Sequence, residues 1–461
     1  MYTDGLNEAV ISESNRSLPV VVIGAGPVGL AAAAHLQERG IAFEVFEAGS
    51  AIASNIAEWG HVRLFTPWKY LTDRAAVRLL ERHRWSVPNP EDLPTGHELI
   101  DRYLQPLADT PEIATRLRFG WRVLSVARLG IDKVKASGRV ESPFVLRIEK
   151  SSGEQTDVLA ATVIDASGTW ATPNPLGAGG LSALGEAAME DRIAYGIPDV
   201  TGSERHVYEG RNTLVVGAGH SAANTILELL ALGASDGNTS VTWAVRGHNL
   251  ASVFGGGDAD ALPARGQLGS RLRAAAETGA LTLLSDFAVE SIEIGSDGRV
   301  RVRSAAGSSV DVDNVVAATG QRPDLDLARE LRLDLDPRLE SPRQLAPLID
   351  PNVHSCGSVP PHGFDLLSHP ETGFFVVGIK SYGRAPTFLM MTGYEQVRSI
   401  VAALDGDFEA ARNLELVLPE TGVCSTDVPG PGILSGGADL DIACCGSDSN
   451  AKGELDLSVA L

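Results

Sequence analysis

Four consecutive apolar residues, Val20-Val21-Val22-Ile23, open the ordered pattern of the chain. An unbroken β-branched run of this length predicts a parallel strand buried on both faces. Glycines follow at once in Gly24-Ala25-Gly26-Pro27-Val28-Gly29. Residues 27–39 then carry apolar positions at helical spacing and stop at Gly40, which predicts a helix ended by glycine. Residues 42–46 return as a strand that finishes at Glu47. The same succession recurs roughly two hundred residues later. Thr213-Leu214-Val215-Val216 leads into Gly217-Ala218-Gly219-His220-Ser221-Ala222, a helix over 222–232 and a strand over 240–245. This duplicated βαβ unit is an internal repeat of supersecondary structure rather than a solenoid period.

Between the two units, alternating patterns at 123–127 and 144–148 predict a meander, with 151–155 as its turn. Residues 162–165 form a further strand that enters Ala166-Ser167-Gly168-Thr169. Glycine and proline crowd 171–200, the composition of a linker. Later strands are expected at 314–317, leading into Ala318-Thr319-Gly320, and at 374–378, and a helix at about 386–404. Beyond about residue 418, Gly, Pro, Ser and Asp dominate, and a flexible tail is expected. The expected divisions are a disordered lead over 1–18, then 19–200, 201–308, 309–417 and a tail over 418–461.

The strand, glycine turn and helix order has a specific chemical use. Gly24 permits a tight turn, Gly26 lets backbone approach a pyrophosphate, and Gly29 lets helix pack on strand. Glu47, 18 residues past Gly29, is placed to accept hydrogen bonds from ribose hydroxyls. Gly217 and Gly219 repeat the first two roles, and Ala222 takes the third glycine's place. The second unit's second strand ends at Arg246 rather than an acid. A guanidinium there pairs with a 2′-phosphate, which favours NADPH over NADH; an exposed loop arginine is the plainer reading. Two such sites in one chain predict two dinucleotides and electron transfer between them.

Charge and cysteine content narrow the field. A net charge of −21 repels a phosphate backbone and excludes nucleic acid as a partner. No apolar run is long enough to span a bilayer, and residues 1–17 lack the basic and apolar regions of a signal peptide. A cytoplasmic protein is expected. The four cysteines, Cys356, Cys424, Cys444 and Cys445, do not form the framework of a secreted fold.

In the order of these motifs, residues 19–405 resemble the two-dinucleotide-binding-domain FAD/NAD(P)H flavoproteins, and among them the flavin-containing monooxygenase-like branch. The resemblance implies an α/β fold of two Rossmann-like domains, with an NADPH domain inserted into a discontinuous FAD domain. It places Ser167, Gly168, Thr319 and Gly320 in cofactor-binding motifs, Val123 near the adenine and Gly378 near the isoalloxazine. It also aims the helix after Pro386 at the flavin pyrimidine ring. Disulfide reductases of similar architecture need a cysteine pair beside the flavin, and no cysteine precedes Cys356. Instead Trp59, with the apolar segment 62–67, resembles the cover over the flavin in monooxygenase-like members. There NADPH reduces FAD, dioxygen forms a C4a-peroxyflavin, and a soft nucleophile or a carbonyl receives one oxygen atom.

The chain departs from that family in two places. Its Phe-x-Gly-x-x-x-His linker signature is absent, and Glu58 stands where a glycine pair precedes the tryptophan. No catalytic side chain is assigned, and the oligomeric state is left open. The segment 254–258 could line the nicotinamide side or be a surface loop. Cys424 with the adjacent Cys444-Cys445 pair could hold a soft, thiophilic metal ion or metalloid, and the pair resembles that of mercuric reductases. A trivalent arsenic or antimony species is thereby a candidate substrate; incidental tail cysteines are the alternative. Two other functions stay open: an FAD-dependent NADPH reductase or oxidase with an external acceptor, and a non-catalytic flavin- and nucleotide-binding redox sensor.

Overall fold

The computed structural model describes residues 10–248, 250–255, 257, 260, 262–353, 359–386 and 388–416. Strand β1 (Val20–Ile23) enters α1 (Pro27–Glu38) and β2 (Phe43–Glu47). A helical excursion that includes α2 (Arg74–Arg82) precedes β3 (Leu117–Phe119). The meander follows as β4 (Trp121–Arg128), β5 (Phe144–Lys150) and β6 (Gln155–Ala160), then β7 (Thr162–Asp165). Strands β8 (Ile193–Tyr195) and β9 (Asn212–Val216) lead to α3 (His220–Asp236), β10 (Ser240–Ala244), α4 (Pro263–Glu277) and β11 (Thr282–Leu284). A second meander, β12 (Val289–Ile294), β13 (Val300–Ser304) and β14 (Ser309–Val312), precedes β15 (Asn314–Ala317), β16 (Phe374–Val376) and α5 (Met390–Leu404).

Two five-stranded parallel sheets carry the nucleotide units, in the orders β16-β7-β1-β2-β3 and β11-β10-β9-β15-β8. Strand β16 returns to the first sheet after the whole second sheet has been built, so the second unit is nested inside the first. This is the α/β architecture expected from the motifs. Two details were not expected. Residues 193–195, inside the expected linker, form an edge strand of the second sheet, and 314–317 pair there with β9. The second sheet therefore draws strands from both sides of 201–308.

Helix α1 shows why the first unit is rigid. Its residues from Val28 to Leu36 are all buried, and the run Ala31–Ala34 presents so little side chain that neighbouring elements pack closely. Its first turn meets α5 where a Cβ on Gly393 would lie 2.6 Å from Val28 Cγ2. Only glycine permits that approach, so the N-termini of α1 and α5 converge.

A buried charge cluster joins the first meander to β16. Glu371 accepts from Arg128 Nε at 2.8 Å and from Arg139 Nη2 at 2.6 Å, with all three side chains at most 5% exposed. Burial raises the Glu371 pKa, but the hydrogen bonds from Arg139 and Arg128 outweigh it and hold the carboxyl below its ordinary 4.5. Its stabilisation is present above that value and is lost as pH falls through the lower, folded-state pKa. Thermal melting followed between pH 6 and pH 3 is expected to drop across this window, and Glu371→Gln is expected to flatten that part of the profile.

Candidate functional site

Both glycine turns divide their residues into those required by the protein and those that leave room. A Cβ on Gly24 (φ +96) would lie 2.9 Å from Ala166 O, and one on Gly29 only 2.0 Å from Gly24 O. One on Gly217 (φ +141) would lie 2.1 Å from Ala318 O. In contrast, a Cβ on Gly26 or Gly219 would meet no protein atom within 4 Å. Those two glycines are the N-caps of α1 and α3, and neither helix has a side-chain cap. Free first-turn amides beside an open glycine make a cradle for a phosphate. Pro27, at the first position of α1, costs no hydrogen bond because its missing N–H would be an orphan there. FAD and a nicotinamide dinucleotide fit these two cradles.

Glu47 sits at the end of β2, as expected, and has a further part. Its Oε2 accepts from Ala25 N at 2.8 Å and its Oε1 from Gly49 N at 2.8 Å. The carboxylate thus pins the glycine turn, while each oxygen keeps acceptor capacity for a ribose hydroxyl. Gly378 (φ +69) lies against the same cradle, since a Cβ there would come 3.3 Å from Val28 Cγ2. Gly168 (φ +74) is close to Ile379 and to Asn55. The glycine turn, Gly168, Gly378 and the start of α5 therefore gather at one place. Val123 is half-buried on β4 and packs with Trp121 on the outer cluster of the first sheet.

Between these elements lies a residue that the sequence did not single out. Lys380 is 1% exposed, and its Nζ donates to Asp165 Oδ2 at 2.7 Å and to Ser167 Oγ at 2.9 Å. Ser167 Oγ in turn donates to Asp165 Oδ1 at 2.6 Å. The ion pair ties β7's end to the segment after Gly378 and holds the Ser167-Gly168 turn against the first cradle.

The covering segment is aromatic and is stitched to the linker. The Trp59 and Trp170 rings lie 6.4 Å apart, and Trp170 Nε1 donates to Glu58. Thr319 Oγ1 donates to Asn174 O at 2.6 Å, and Asn174 N donates to Gly320 O at 2.8 Å. The motif at 318–320 therefore also anchors the linker. Phe65, from the cover, contacts the His220 ring at 5.0 Å, and His220 is the first residue of α3. Burial, reinforced by Arg265, lowers the His220 pKa to about 4, so the imidazole is neutral near pH 7. Arg265 itself is held by Asp260 at 2.8 and 2.6 Å. The segment that carries Phe65 and the second glycine turn are thus in direct contact.

Ser221 and Ala222 follow on the first turn of α3, with Ala222 fully buried. Arg246 is exposed just past β10, and its Nη1 donates to Ala178 O at 3.0 Å. Phe254 packs edge-on against Trp243 at 6.3 Å, so it belongs to the second unit's core, while Gly256 and Asp258 lie outside the described residues. Cys356, Cys424, Cys444 and Cys445 also lie outside them. Among the described residues no cluster of His, Cys, Asp and Glu could hold a metal ion, and no helix is long and apolar enough to cross a membrane.

Residues 21–352 match the pyridine nucleotide-disulphide oxidoreductase family. The chain belongs to that family. It is an oxidoreductase whose cofactors are FAD and NADPH. The rice (Oryza sativa subsp. japonica) protein indole-3-pyruvate monooxygenase YUCCA1 is 29% identical over 218 residues. That match covers 46% of this chain and 45% of the rice protein, so the chain spans about half the length of this curated relative. It agrees with the resemblance to monooxygenase-like flavoproteins carried by the motifs. Among solved structures, bacillithiol disulfide reductase Bdr (YpdA) from Bacillus cereus superposes with a TM-score of 0.62 at 19% identity, over 84% of this chain and 99% of that one. The flavin-containing monooxygenase from Stenotrophomonas maltophilia gives 0.52 at 19% identity, over 84% and 98%. Ornithine hydroxylase (PvdA) from Pseudomonas aeruginosa gives 0.55 at 15%, over 85% and 99%. At these identities the superpositions speak for the shared fold.

Proposed function

We propose that the protein is a cytoplasmic NADPH-dependent FAD monooxygenase that transfers one oxygen atom to a soft nucleophile. The observation that carries this reading is the aromatic segment between the two glycine turns. Trp59 packs on Trp170, two residues past Gly168, Phe65 packs on His220 of the second turn, and no cysteine precedes Cys356 to serve a dithiol relay. Bound FAD supplies the chemistry, accepting hydride from NADPH and activating dioxygen. The chain's residues bind, orient and exclude water: Gly26 and Glu47 at the FAD phosphate and ribose, Gly219 at the NADPH phosphates, and the aromatic cover over the flavin. In this assignment the spans 19–200 and 309–417, apart from β8 and β15, hold FAD, and 201–308 with those two strands holds NADPH.

The test is NADPH-driven turnover under labelled dioxygen, with a sulfide, an amine, indole-3-pyruvate and trivalent arsenic as candidate substrates. Labelled oxygen in a product supports the proposal. Hydrogen peroxide that accounts for all the NADPH consumed supports the reductase or oxidase alternative, and no flavin reduction at all supports a sensor.

Two variants, one single and one triple, refine the assignment. Arg246→Ala is expected to weaken NADPH binding about ten- to hundredfold, the value of a hydrogen bond to a charged group, while NADH binding changes little. Parallel KM measurements with the two nucleotides check it. Trivalent arsenic or antimony fits Cys424, Cys444 and Cys445 as thiophilic ligands. Their combined replacement by serine is expected to abolish turnover of that substrate alone; equal loss with every substrate, or no loss, removes the tail from the account.

A further inference from the structure

Behind Gly378 lies a hydrogen-bond network in which every polar atom has a partner. Gln396, on α5 and fully buried, accepts from Gly378 N through Oε1 at 2.8 Å. Its Nε2 donates to Ser381 Oγ at 2.9 Å and to His362 Nε2 at 3.0 Å. Ser381 Oγ donates to Gly378 O at 2.7 Å. His362 Nδ1 lies 3.0 Å from Pro360 O. A carbonyl only accepts, so Nδ1 carries the imidazole proton and Nε2 is the lone pair that receives the Gln396 N–H. The neutral imidazole thereby decides which way the Gln396 amide faces. That amide, directly and through Ser381, grips both polar groups of the Gly378 peptide.

Protonation of His362 would reverse this arrangement. Nε2 would become a donor aimed at a donor, and the Gln396 amide would have to turn over to present its oxygen. Its nitrogen would then face Gly378 N, so the Gly378 N–H would be released toward the cradle. A released N–H needs an acceptor, and a negative charge at the bound cofactor is the best one available.

We propose that His362 is a redox-linked proton acceptor that, through Gln396, positions the Gly378 peptide for each oxidation state of FAD. The inference rests on the placement of FAD at the first cradle. Hydride transfer from NADPH would leave one negative charge at bound FAD with no proton exchanged, and His362 would answer by taking one proton from solvent. Burial holds the His362 pKa below its ordinary 6.5, so the imidazole is neutral at pH 7 before reduction. The charged and titratable groups around it are otherwise committed. Glu395 is paired with Arg398 at 3.0 and 2.7 Å, Lys380 with Asp165 at 2.7 Å, and Tyr382 presents its ring at 5.6 Å.

The experiment is anaerobic titration of the FAD-loaded protein with NADPH at pH 7 in weak buffer, with an indicator dye reading proton uptake. The wild type is expected to take up about one proton per FAD reduced. His362→Gln cannot protonate and is expected to take up none. Gln396→Glu keeps an acceptor for Gly378 N and pairs with an already protonated His362, so it too is expected to take up none. The two variants reach this result by opposite routes, and the second keeps the test alive should the first not fold. Absence of uptake by the wild type, or equal uptake by the wild type and either variant, overturns the proposal. The FAD absorbance of the same sample shows whether the cradle is filled. No oxygen is present, so failure of the monooxygenase reading leaves the result untouched.

Discussion

Lys380→Met is expected to destabilise the protein by about 3–5 kcal/mol, because it leaves the Asp165 carboxylate buried without its counter-charge. Lys380 and Asp165 are each 1% exposed and 2.7 Å apart, so water cannot replace the lost ammonium. The loss should be felt at the site as well as in the core. Ser167 Oγ loses its donor from Lys380, and the Ser167-Gly168 turn that backs Gly24 is left to Asp165 alone. Chemical denaturation reads the stability, and FAD content per protein reads the site. The double variant Lys380→Met with Asp165→Asn removes both charges and keeps the oxygen that Ser167 uses. It is expected to recover most of the lost stability. A double variant no better than the single one would show that the cost lies in packing rather than charge.

Gly26→Ala is expected to abolish FAD binding while leaving the unfolding free energy of the apo-protein within about 1 kcal/mol of wild type. The added Cβ meets no protein atom within 4 Å, so only a bound pyrophosphate has cause to exclude it. Gly29→Ala makes the contrast. Its Cβ would lie 2.0 Å from Gly24 O, and the helix must lift from the turn. That variant is expected to lose FAD and stability together. Apo-protein denaturation and FAD titration on both variants separate a cradle glycine from a packing glycine. Similar losses of stability in the two would contradict the division.

How much of this was legible in the sequence depended on whether the signal was local. The strands at 162–165 and 314–317 were predicted to the residue, because short apolar runs, Val163-Ile164 and Val315-Val316-Ala317, that lead into Ala-x-Gly turns need no distant information. The two strand, glycine turn and helix units were equally legible, since their parts are contiguous. The sheet to which 314–317 belongs was not, because a buried run shows that it is a strand and not beside what. Residues 193–195 were hidden by the surrounding glycines and prolines, whose density outweighs a three-residue strand. The helix started later than expected at the end, at Met390 rather than near Pro386.

Within the site, what the sequence missed was long-range. Lys380 finds Asp165 across more than two hundred residues of chain, and Phe65 finds His220 across the interval that separates the two units. Gln396 and His362 carry no motif at all; their meaning comes from the completeness of the network around Gly378. Arg246 shows the opposite case. The sequence singled it out, and the structure places it exposed, with one N–H already donated to Ala178.

Hydride from NADPH is expected to pass to FAD in this chain, and the reduced flavin to activate dioxygen for transfer. Anaerobic mixing of the FAD-loaded protein with NADPH, followed by admission of oxygen in a stopped-flow spectrometer, tests it most directly. The expected result is rapid bleaching of the flavin by NADPH, then a long-lived flavin spectrum distinct from both the reduced and the oxidised forms. Direct return to the oxidised spectrum, with hydrogen peroxide released in equal amount, would contradict it.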